Sequence, residues 1–355
     1  MVNWSLNRFR RITVSGDYIV EVDGLRFVAI GAVILAHTLG IWKHVIGRHY
    51  VTMSLSDQIF ERIAELGVYG VQLFFMLSGF VLALPFCKHA SGLGRAVSLK
   101  KYFVRRVTRL EPPYVASMLF FFIMIPVLGG ASYGELFPHL LASLAYIHEF
   151  VYSTGSVLNN NAWSLEIEIQ FYLLVPLILT GLCIRPLARR VIILCLIILF
   201  SLNSIWLPEV FPRTILEYFQ YFGIGILFCE LWMNFWKNQG KGLWQDLPGL
   251  VAWPVFFIVN FSWQGCFVDF INPWLIAAFF YSSLRGQLHS LILGWSWIPL
   301  IGGMCYSIYL IHARIITLVL RYGFDRLELS GIFLVDGIIL FLTSFPVIVA
   351  LSAIF

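Results

Sequence analysis

Long runs of apolar residues, separated by short polar segments, dominate the pattern along the chain. A helix needs about 20 apolar residues to cross the hydrocarbon core of a bilayer, and ten runs approach that length. They lie at 24–42, 65–86, 114–130, 163–182, 190–207, 214–236, 248–263, 272–284, 297–318 and 331–354. The pattern predicts an all-α fold, a polytopic membrane bundle of about ten transmembrane helices.

An eleventh apolar run, 135–150, is shorter and contains Pro138, His139 and His148. We expect it to form a short interfacial or re-entrant helix. The distribution of positive charge supports this interpretation, because cytoplasmic loops of membrane proteins are enriched in Lys and Arg. If the run does not cross and the N-terminus is inside, 17 of the 24 Lys and Arg residues fall on the cytoplasmic side. Both termini are therefore predicted to be cytoplasmic.

Composition narrows the class of protein further. Of the 355 residues, 59% are hydrophobic and only 12% are charged, which excludes an ordinary soluble domain. We expect a single membrane domain over 1–355, with a cytoplasmic segment at 1–22 and no soluble second domain. The apolar ending VALSAIF, without a polar tail, is compatible with a chain that continues further. Six scattered cysteines without ligand spacing predict packing residues and no metal site.

Arg26 and His37 lie eleven positions apart in the first apolar run. Eleven residues are close to three helical turns, so both side chains are expected on nearly one face, about 16 Å apart along the axis. An ionisable residue inside a span is a candidate functional residue, because its desolvation is unfavourable. A neutral His37 bonded to a neighbouring helix is the alternative, and the arginine on the same face favours function.

A basic segment at 98–115, SLKKYFVRRVTRLEPPYV, belongs to the predicted cytoplasmic side. Arg106 and Arg109 are three residues apart and so adjacent on a helix. Guanidinium groups form paired hydrogen bonds with phosphates, which makes the segment a candidate site for a polyanion. Basic residues that fix topology or contact anionic lipid headgroups are the alternative.

Two glutamates, Glu166 and Glu168, enter the predicted span at 163–182. They lie about 200° apart around a helix, so at least one must face the interior of the bundle. A structural partner for an intramembrane Arg or His is the alternative to a functional role. His312, in another predicted span, has the same two interpretations as His37.

Motifs typical of several other classes are absent from the sequence. There is no GxSxG elbow, no Walker A loop and no HExxH zinc motif. Paired interrupted helices at matching positions in two halves are also missing. These absences disfavour a hydrolase, a nucleotide-driven pump and an inverted-repeat transporter.

Five segments, in this order, resemble motifs of the acyltransferase-3 family of integral membrane acyltransferases. They are DGLRFVAIGAVILAH (23–37), FFMLSGF (74–80), RRVTRLEPPY (105–114), WSLEIEIQFY (163–172) and YSIYLIH (306–312). The resemblance covers nearly the whole chain, and the family's glutamate corresponds to Glu168. It implies a bundle of ten helices that acylates hydroxyl groups of acceptors outside the cytoplasm.

The resemblance also implies a donor, acyl-CoA and commonly acetyl-CoA, that arrives from the cytoplasm. The imidazole of His37, with an unperturbed pKa of about 6.5, suits the removal of a proton from an acceptor hydroxyl. We expect Glu168 to orient the ring of His37. Direct transfer and an acyl-enzyme relay both stay open. The expected catalytic residues are His37, Glu168 and Arg26, and the expected CoA-binding residues are Arg106, Arg109, Arg105 and Arg26.

The expected acceptor is a carbohydrate, either a bacterial surface or secreted polysaccharide or its lipid-linked precursor, and the expected location is the bacterial cytoplasmic (inner) membrane. No feature indicates a nucleic acid partner, and the oligomeric state stays open.

Two other functional classes of membrane protein stay open. A secondary transporter of a small anion would also place Arg, His and Glu inside a bundle, and a scaffolding membrane protein would not need those residues at all.

Overall fold

The computed structural model of the protein describes residues 18–46, 53–181, 186–206, 213–323 and 330–354. Within these ranges the regular secondary structure is helical, apart from one isolated β-bridge between Gly242 and Gly286. The predicted all-α fold is confirmed. Most of the predicted N-terminal segment lies outside the described residues, as does Cys183.

The α-helices are numbered here in chain order. They are α1 Val20–Ile46, α2 Leu55–Glu65, α3 Gly70–Ala90, α4 Leu99–Val127, α5 Tyr133–Leu144, α6 His148–Tyr152, α7 Trp163–Gly181, α8 Pro186–Ser201, α9 Asn203–Trp206, α10 Ile215–Leu231, α11 Leu247–Ser262, α12 Cys266–Arg285, α13 Gln287–Leu293, α14 Trp297–Gly303, α15 Cys305–Leu318 and α16 Phe333–Ile354.

Several of these helices are long and apolar enough to cross a membrane, so the protein is an integral membrane protein. Among the described residues, six segments qualify: Val20–Lys43, Leu55–Ala90, Leu99–Val127, Asn160–Thr180, Cys266–Arg285 and Phe333–Ile354. A seventh candidate is the pair Trp297–Gly303 and Cys305–Arg321, which is bent by 78°. The prediction of about ten spans is not confirmed, because α8, α10 and α11 have only 16 or 17 residues.

Helix α4 joins the predicted basic segment to the span that follows it. It has 29 residues and is therefore about 44 Å long at 1.5 Å per residue, longer than a hydrocarbon core of about 30 Å. The helix continues through Pro112 and Pro113. Its basic first half can therefore extend beyond the core that its apolar second half crosses.

The shorter apolar run at 135–150 contributes to α5 and α6, which have 12 and 5 residues. Ser132 and Glu135 form a capping box at the start of α5, where each side chain binds the backbone N–H of the other residue. Neither helix is long enough to cross a bilayer. This agrees with the prediction that the run does not cross.

The described helices group into two compact units. The first is drawn from Met1–Phe74, Gly242–Trp263 and Ala278–Phe355, and within it α1 contacts α14, α15 and α16. Helix α14 approaches α1 so closely that a Cβ atom on Gly302 would collide with the backbone oxygen of Asp23. The bend after α14 differs from the predicted continuous span, and it accompanies this close approach.

The second unit is drawn from Phe75–Lys241 and Gln264–Ala277. Here α10 packs on α8, and a Cβ atom on Gly79 of α3 would collide with the backbone oxygen of Phe222 in α10. Phe171 of α7 stacks on Phe222 with ring centroids 4.0 Å apart. Close helix contact at a small residue, sealed by aromatic rings, therefore fixes α3, α7 and α10.

Candidate active site

Two histidines that are distant in sequence meet in the first unit. His37 lies on α1 and His312 on α15, and His37 Nδ1 is 2.7 Å from His312 Nε2. Their rings are stacked, with centroids 5.0 Å apart and planes 11° apart. The side chain of His312 is fully buried, whereas His37 is half-buried.

The hydrogen bonds around the pair fix its tautomers. His312 Nδ1 is 2.8 Å from the carbonyl oxygen of Tyr309 and 3.2 Å from that of Ile308, so it must carry a proton. In the neutral ring, His312 Nε2 then accepts a hydrogen bond, and His37 Nδ1 donates it. The remaining nitrogen, His37 Nε2, keeps its lone pair. The pair therefore presents one basic nitrogen, on its half-buried member.

Arg26 lies on α1 as well, eleven residues before His37. Its Nη1 forms an ion pair with the carboxylate of Asp23 one turn earlier on the same helix. The continuous helix agrees with the predicted shared face of Arg26 and His37. The ion pair was not predicted, and it means that the charge of Arg26 is balanced at its own helix. Its catalytic role stays a prediction.

Glu168 belongs to the second unit, on α7. It accepts hydrogen bonds from the hydroxyl group of Tyr172 and from Ser78 Oγ, the latter at 2.8 Å. These two hydroxyl groups hold the half-buried carboxylate in place. The predicted orientation of His37 by Glu168 stays a prediction.

The three arginines of α4 differ in their surroundings. Arg105 and Arg109 are exposed, whereas Arg106 is half-buried. The guanidinium carbon of Arg106 lies 5.8 Å from the ring centroid of Tyr102 and 5.9 Å from that of Tyr172, within range of cation–π attraction. Its buried Nε has no hydrogen-bond partner among the described residues. Arg106 is thus held by aromatic faces and retains a donor group.

Glu166, the other glutamate near the start of α7, has a structural role that differs from that of Glu168. Its two carboxylate oxygens accept the backbone N–H groups of His148 and Glu149, at 3.2 and 3.1 Å. These N–H groups belong to the first turn of α6, where a helix has no internal acceptors. Both glutamates are therefore used, Glu166 as the anchor of a short helix and Glu168 in the cluster with Tyr172.

Comparison with known proteins identifies the class to which these residues belong. The profile of the acyltransferase-3 family, described as an acyltransferase domain, matches residues 19–355. The chain belongs to the acyltransferase-3 family. The family that was predicted from the motifs and the predicted enzyme class, an acyltransferase, are both confirmed.

Relatives of this acyltransferase are O-acetyltransferases by name. The O-acetyltransferase OatA of Staphylococcus aureus is 27% identical over 345 residues, which cover 87% of this chain and 52% of that protein. The peptidoglycan O-acetyltransferase OatA of Listeria monocytogenes is 26% identical over 181 residues, which cover 47% of this chain and 25% of that protein. Most of the chain matches such curated relatives, but it spans only about half of their length. No solved structure matches it.

Sequence analysis did not identify every partner in the acyltransferase. His312 was recognised only as an ionisable residue in a span, because nothing in the sequence indicates that it meets a histidine 275 positions away. The contact between Tyr172 and Glu168 could have been predicted, since Tyr172 lies four residues after Glu168 and therefore on the same face of α7. Asp23 lies three residues before Arg26, and the same spacing rule would have found that ion pair.

Proposed function

We propose that the protein is a membrane-bound O-acetyltransferase that moves an acyl group, an acetyl group above all, from acyl-CoA to a hydroxyl group of a carbohydrate. Family membership supports the acyltransferase class. The observation that carries the chemistry is the hydrogen bonding of His37 and His312, which leaves His37 Nε2 with its lone pair.

In this proposal His37 acts as a general base on the acceptor. The hydroxyl proton passes to His37 Nε2 while the oxygen attacks the thioester carbonyl carbon. The C–O bond forms, the C–S bond breaks, and the imidazolium returns its proton to the departing thiolate. His312 supports this cycle because the hydrogen bond from His37 Nδ1 becomes stronger when His37 is charged.

Arg106 is our principal candidate for the donor phosphates, with Arg105 and Arg109 beside it. The aromatic rings of Tyr102 and Tyr172 orient the guanidinium of Arg106 in advance, so less entropy is lost when it binds an anion. Exposed arginines provide charge at the surface but are less restricted. Arg26 keeps its expected role in guiding the donor, and Glu168 stays a proposed catalytic residue, while the orientation of His37 in this proposal comes from His312.

The acceptor and the location in the cell form part of the same proposal. One relative is named for peptidoglycan, a carbohydrate polymer, and we propose a bacterial surface or secreted polysaccharide or its lipid-linked precursor. We place the protein in the cytoplasmic (inner) membrane with both termini inside. Helices α8, α10 and α11 would complete the ten spans; with 16 or 17 residues they lie at the lower limit of length for a span, about 17 residues.

The test uses full-length protein in lipid nanodiscs and radiolabelled acetyl-CoA, with binding and CoA release measured separately. We expect saturable binding by the native chain, and a similar affinity but little CoA release for His37→Ala. His89→Ala is the matched control, because His89 is an exposed histidine on α3 outside the pair. No binding by a folded native chain would overturn the acyl-CoA assignment. Anion flux in sealed vesicles without acetyl-CoA consumption would then favour a transporter.

A second set of variants tests the donor site. Arg106→Ala should weaken acetyl-CoA binding about 10-fold or more, which corresponds to about 1.4 kcal/mol. Arg109→Ala should weaken it less, because an exposed charge contributes less to binding than a preoriented one. Equal effects of the two substitutions would contradict the special role of Arg106.

A further inference from the structure

A second pair of histidines lies outside the candidate spans. His139 is on α5 and His148 begins α6, and His139 Nδ1 is 2.9 Å from His148 Nε2. The ring of Tyr152 covers both imidazoles, with centroid distances of 4.2 Å to His139 and 4.7 Å to His148. His148 is fully buried and His139 is half-buried.

The hydrogen bonds of this pair follow the same order as those of His37 and His312. His148 Nδ1 is 3.0 Å from the carbonyl oxygen of Thr154, so it carries the proton and its Nε2 accepts. His139 Nδ1 must then be the donor, and His139 Nε2 keeps its lone pair. Among the described residues, no group hydrogen-bonds to that nitrogen.

The charge state of His148 supports this assignment. Burial, the largest effect, lowers the pKa of His148, and the nearby His139 lowers it further. The hydrogen bond to the Thr154 carbonyl and the charge of Glu149 oppose these effects without reversing them. A neutral His148 is the form that accepts the hydrogen bond from His139.

The pair is held by strong contacts on the His148 side. Glu166 binds the first two N–H groups of α6, and Glu149 forms an ion pair with Arg213 at 3.0 Å. Tyr146 and Ser153, just before and just after α6, have φ of +56° and +53°. Non-glycine residues adopt this left-handed conformation at a cost of about 1–2 kcal/mol, and such strain is concentrated at functional sites.

We propose that His139 and His148 form a second acid–base site, which binds a hydroxyl group at His139 Nε2 and removes its proton during a second acyl transfer that follows the one at His37. The inference rests on the proposed acyltransferase function and adds a base to it. His139 would be the catalytic residue, and His148 the positioning residue that fixes its tautomer. The hydroxyl group belongs to the carbohydrate acceptor or to a water molecule.

The step is balanced in atoms and charge. The acyl donor is the oxygen ester that the transfer at His37 forms, and the hydroxyl oxygen attacks its carbonyl carbon while the proton passes to His139 Nε2. A new C–O bond forms and the bond to the leaving oxygen breaks. The imidazolium of His139 then gives its proton to that leaving group. No oxidant or metal takes part.

The first test compares His139→Asn with native protein in nanodiscs, using acetyl-CoA as donor and chitotriose and water as hydroxyl probes. The Asn amide can still donate to His148 Nε2 but offers no base at the position of Nε2. We expect donor binding to change less than 2-fold, whereas transfer to the probes falls about 100-fold, the lower part of the range for general bases. His89→Asn is the matched control and should behave as native.

Two further results complete this test. Added imidazole should restore part of the transfer by His139→Ala, which provides room for a free base. Native transfer rates in His139→Asn would overturn the proposal. A native chain that binds no acetyl-CoA would instead contradict the donor in the proposed function, so the two failures can be distinguished.

A chemical readout tests the pair without any turnover. Diethyl pyrocarbonate acylates an imidazole nitrogen that has a free lone pair, and mass spectrometry locates the product. In the folded native chain we expect labelling of His139, with exposed His89 as the reference, and none of His148. In His148→Ala the tautomer of His139 is no longer fixed, so its rate of labelling should change. An unlabelled His139 would overturn the proposal whatever the activity.

Discussion

The pair of His37 and His312 and the pair of His139 and His148 share one arrangement of hydrogen bonds but are held in place differently. In each, a half-buried histidine donates from Nδ1 to a fully buried one, whose own Nδ1 binds a backbone carbonyl. For His312 that carbonyl belongs to the preceding turn of its own helix. For His148 it belongs to Thr154, in the loop after α6.

This difference shows two ways to position one chemical group. Helix α15 has 14 residues and provides its own carbonyl anchor for His312, so close packing of α1 against α15 is enough to align His37 and His312. His148 begins α6, so no preceding turn of its own helix offers it a carbonyl. The pair of His139 and His148, called the outer pair because it lies outside the candidate spans, instead depends on a carboxylate, an ion pair and two left-handed residues. The pair of His37 and His312, called the inner pair because it lies within candidate spans, should therefore resist loss of polar contacts that would disturb the outer pair.

The largest expected effect is at His37. His37→Ala removes the nitrogen that takes up the acceptor proton, and acetyl transfer should fall by about 10²–10⁴. Rates of CoA release by the variant and by His89→Ala, measured at saturating acetyl-CoA, check this. If the variant of the outer pair, His139→Ala, shows a larger loss than His37→Ala, the order of importance of the two pairs is reversed.

The next effect is at His312, which sets the tautomer of His37. His312→Ala should lower kcat by about 10- to 100-fold with acetyl-CoA affinity unchanged, because the base is present but misoriented. His312→Gln can still accept from His37 Nδ1 through its amide oxygen, and we expect it to recover most of the rate. Equal kcat values for the Ala and Gln variants would show that the hydrogen bond has no positioning role.

The helical class was within reach of the sequence. Apolar runs marked most helices, and the spacing of Arg26 and His37 placed both on one helix. The number of spans was less accessible, because α8 and α10 end at Ser201 and Leu231 although their apolar runs extend to 207 and 236, and the apolar run of α11 has only 16 residues. Helix ends depend on local capping and packing rather than on hydropathy alone.

Contacts between histidines could not be predicted from the sequence, for a different reason. The contact of His37 with His312 follows from the packing of α1 on α15, which no periodicity encodes. His139 and His148 are only nine residues apart, yet the sequence indicated merely a short apolar run that contains both. The turn at Tyr146 brings them together, and a left-handed tyrosine is an uncommon conformation that sequence does not signal.

A smaller effect, on stability, tests the difference in anchoring. Glu166→Ala leaves the buried N–H groups of His148 and Glu149 without their acceptor, and an unsatisfied buried group costs about 1–3 kcal/mol. Thermal unfolding should shift down, and diethyl pyrocarbonate should reach His148. Glu135→Ala, at the exposed capping box of α5, is the control and should leave His148 protected. Loss of protection at His312 in Glu166→Ala would contradict the independence of the inner pair.

The smallest effect is at Ser153, which ends α6 in the left-handed conformation and donates its N–H to the Glu149 carbonyl at 2.9 Å. Glycine is the usual residue at this position, so Ser153→Gly should raise the free energy of unfolding by about 0.5–1 kcal/mol. Ser56→Gly, inside α2, should lower it instead. If Ser153→Gly is more stable but slower in transfer to chitotriose, the strained end of α6 contributes to the position of His148. If it is more stable and equally fast, the carboxylate of Glu166 is sufficient to hold the outer pair.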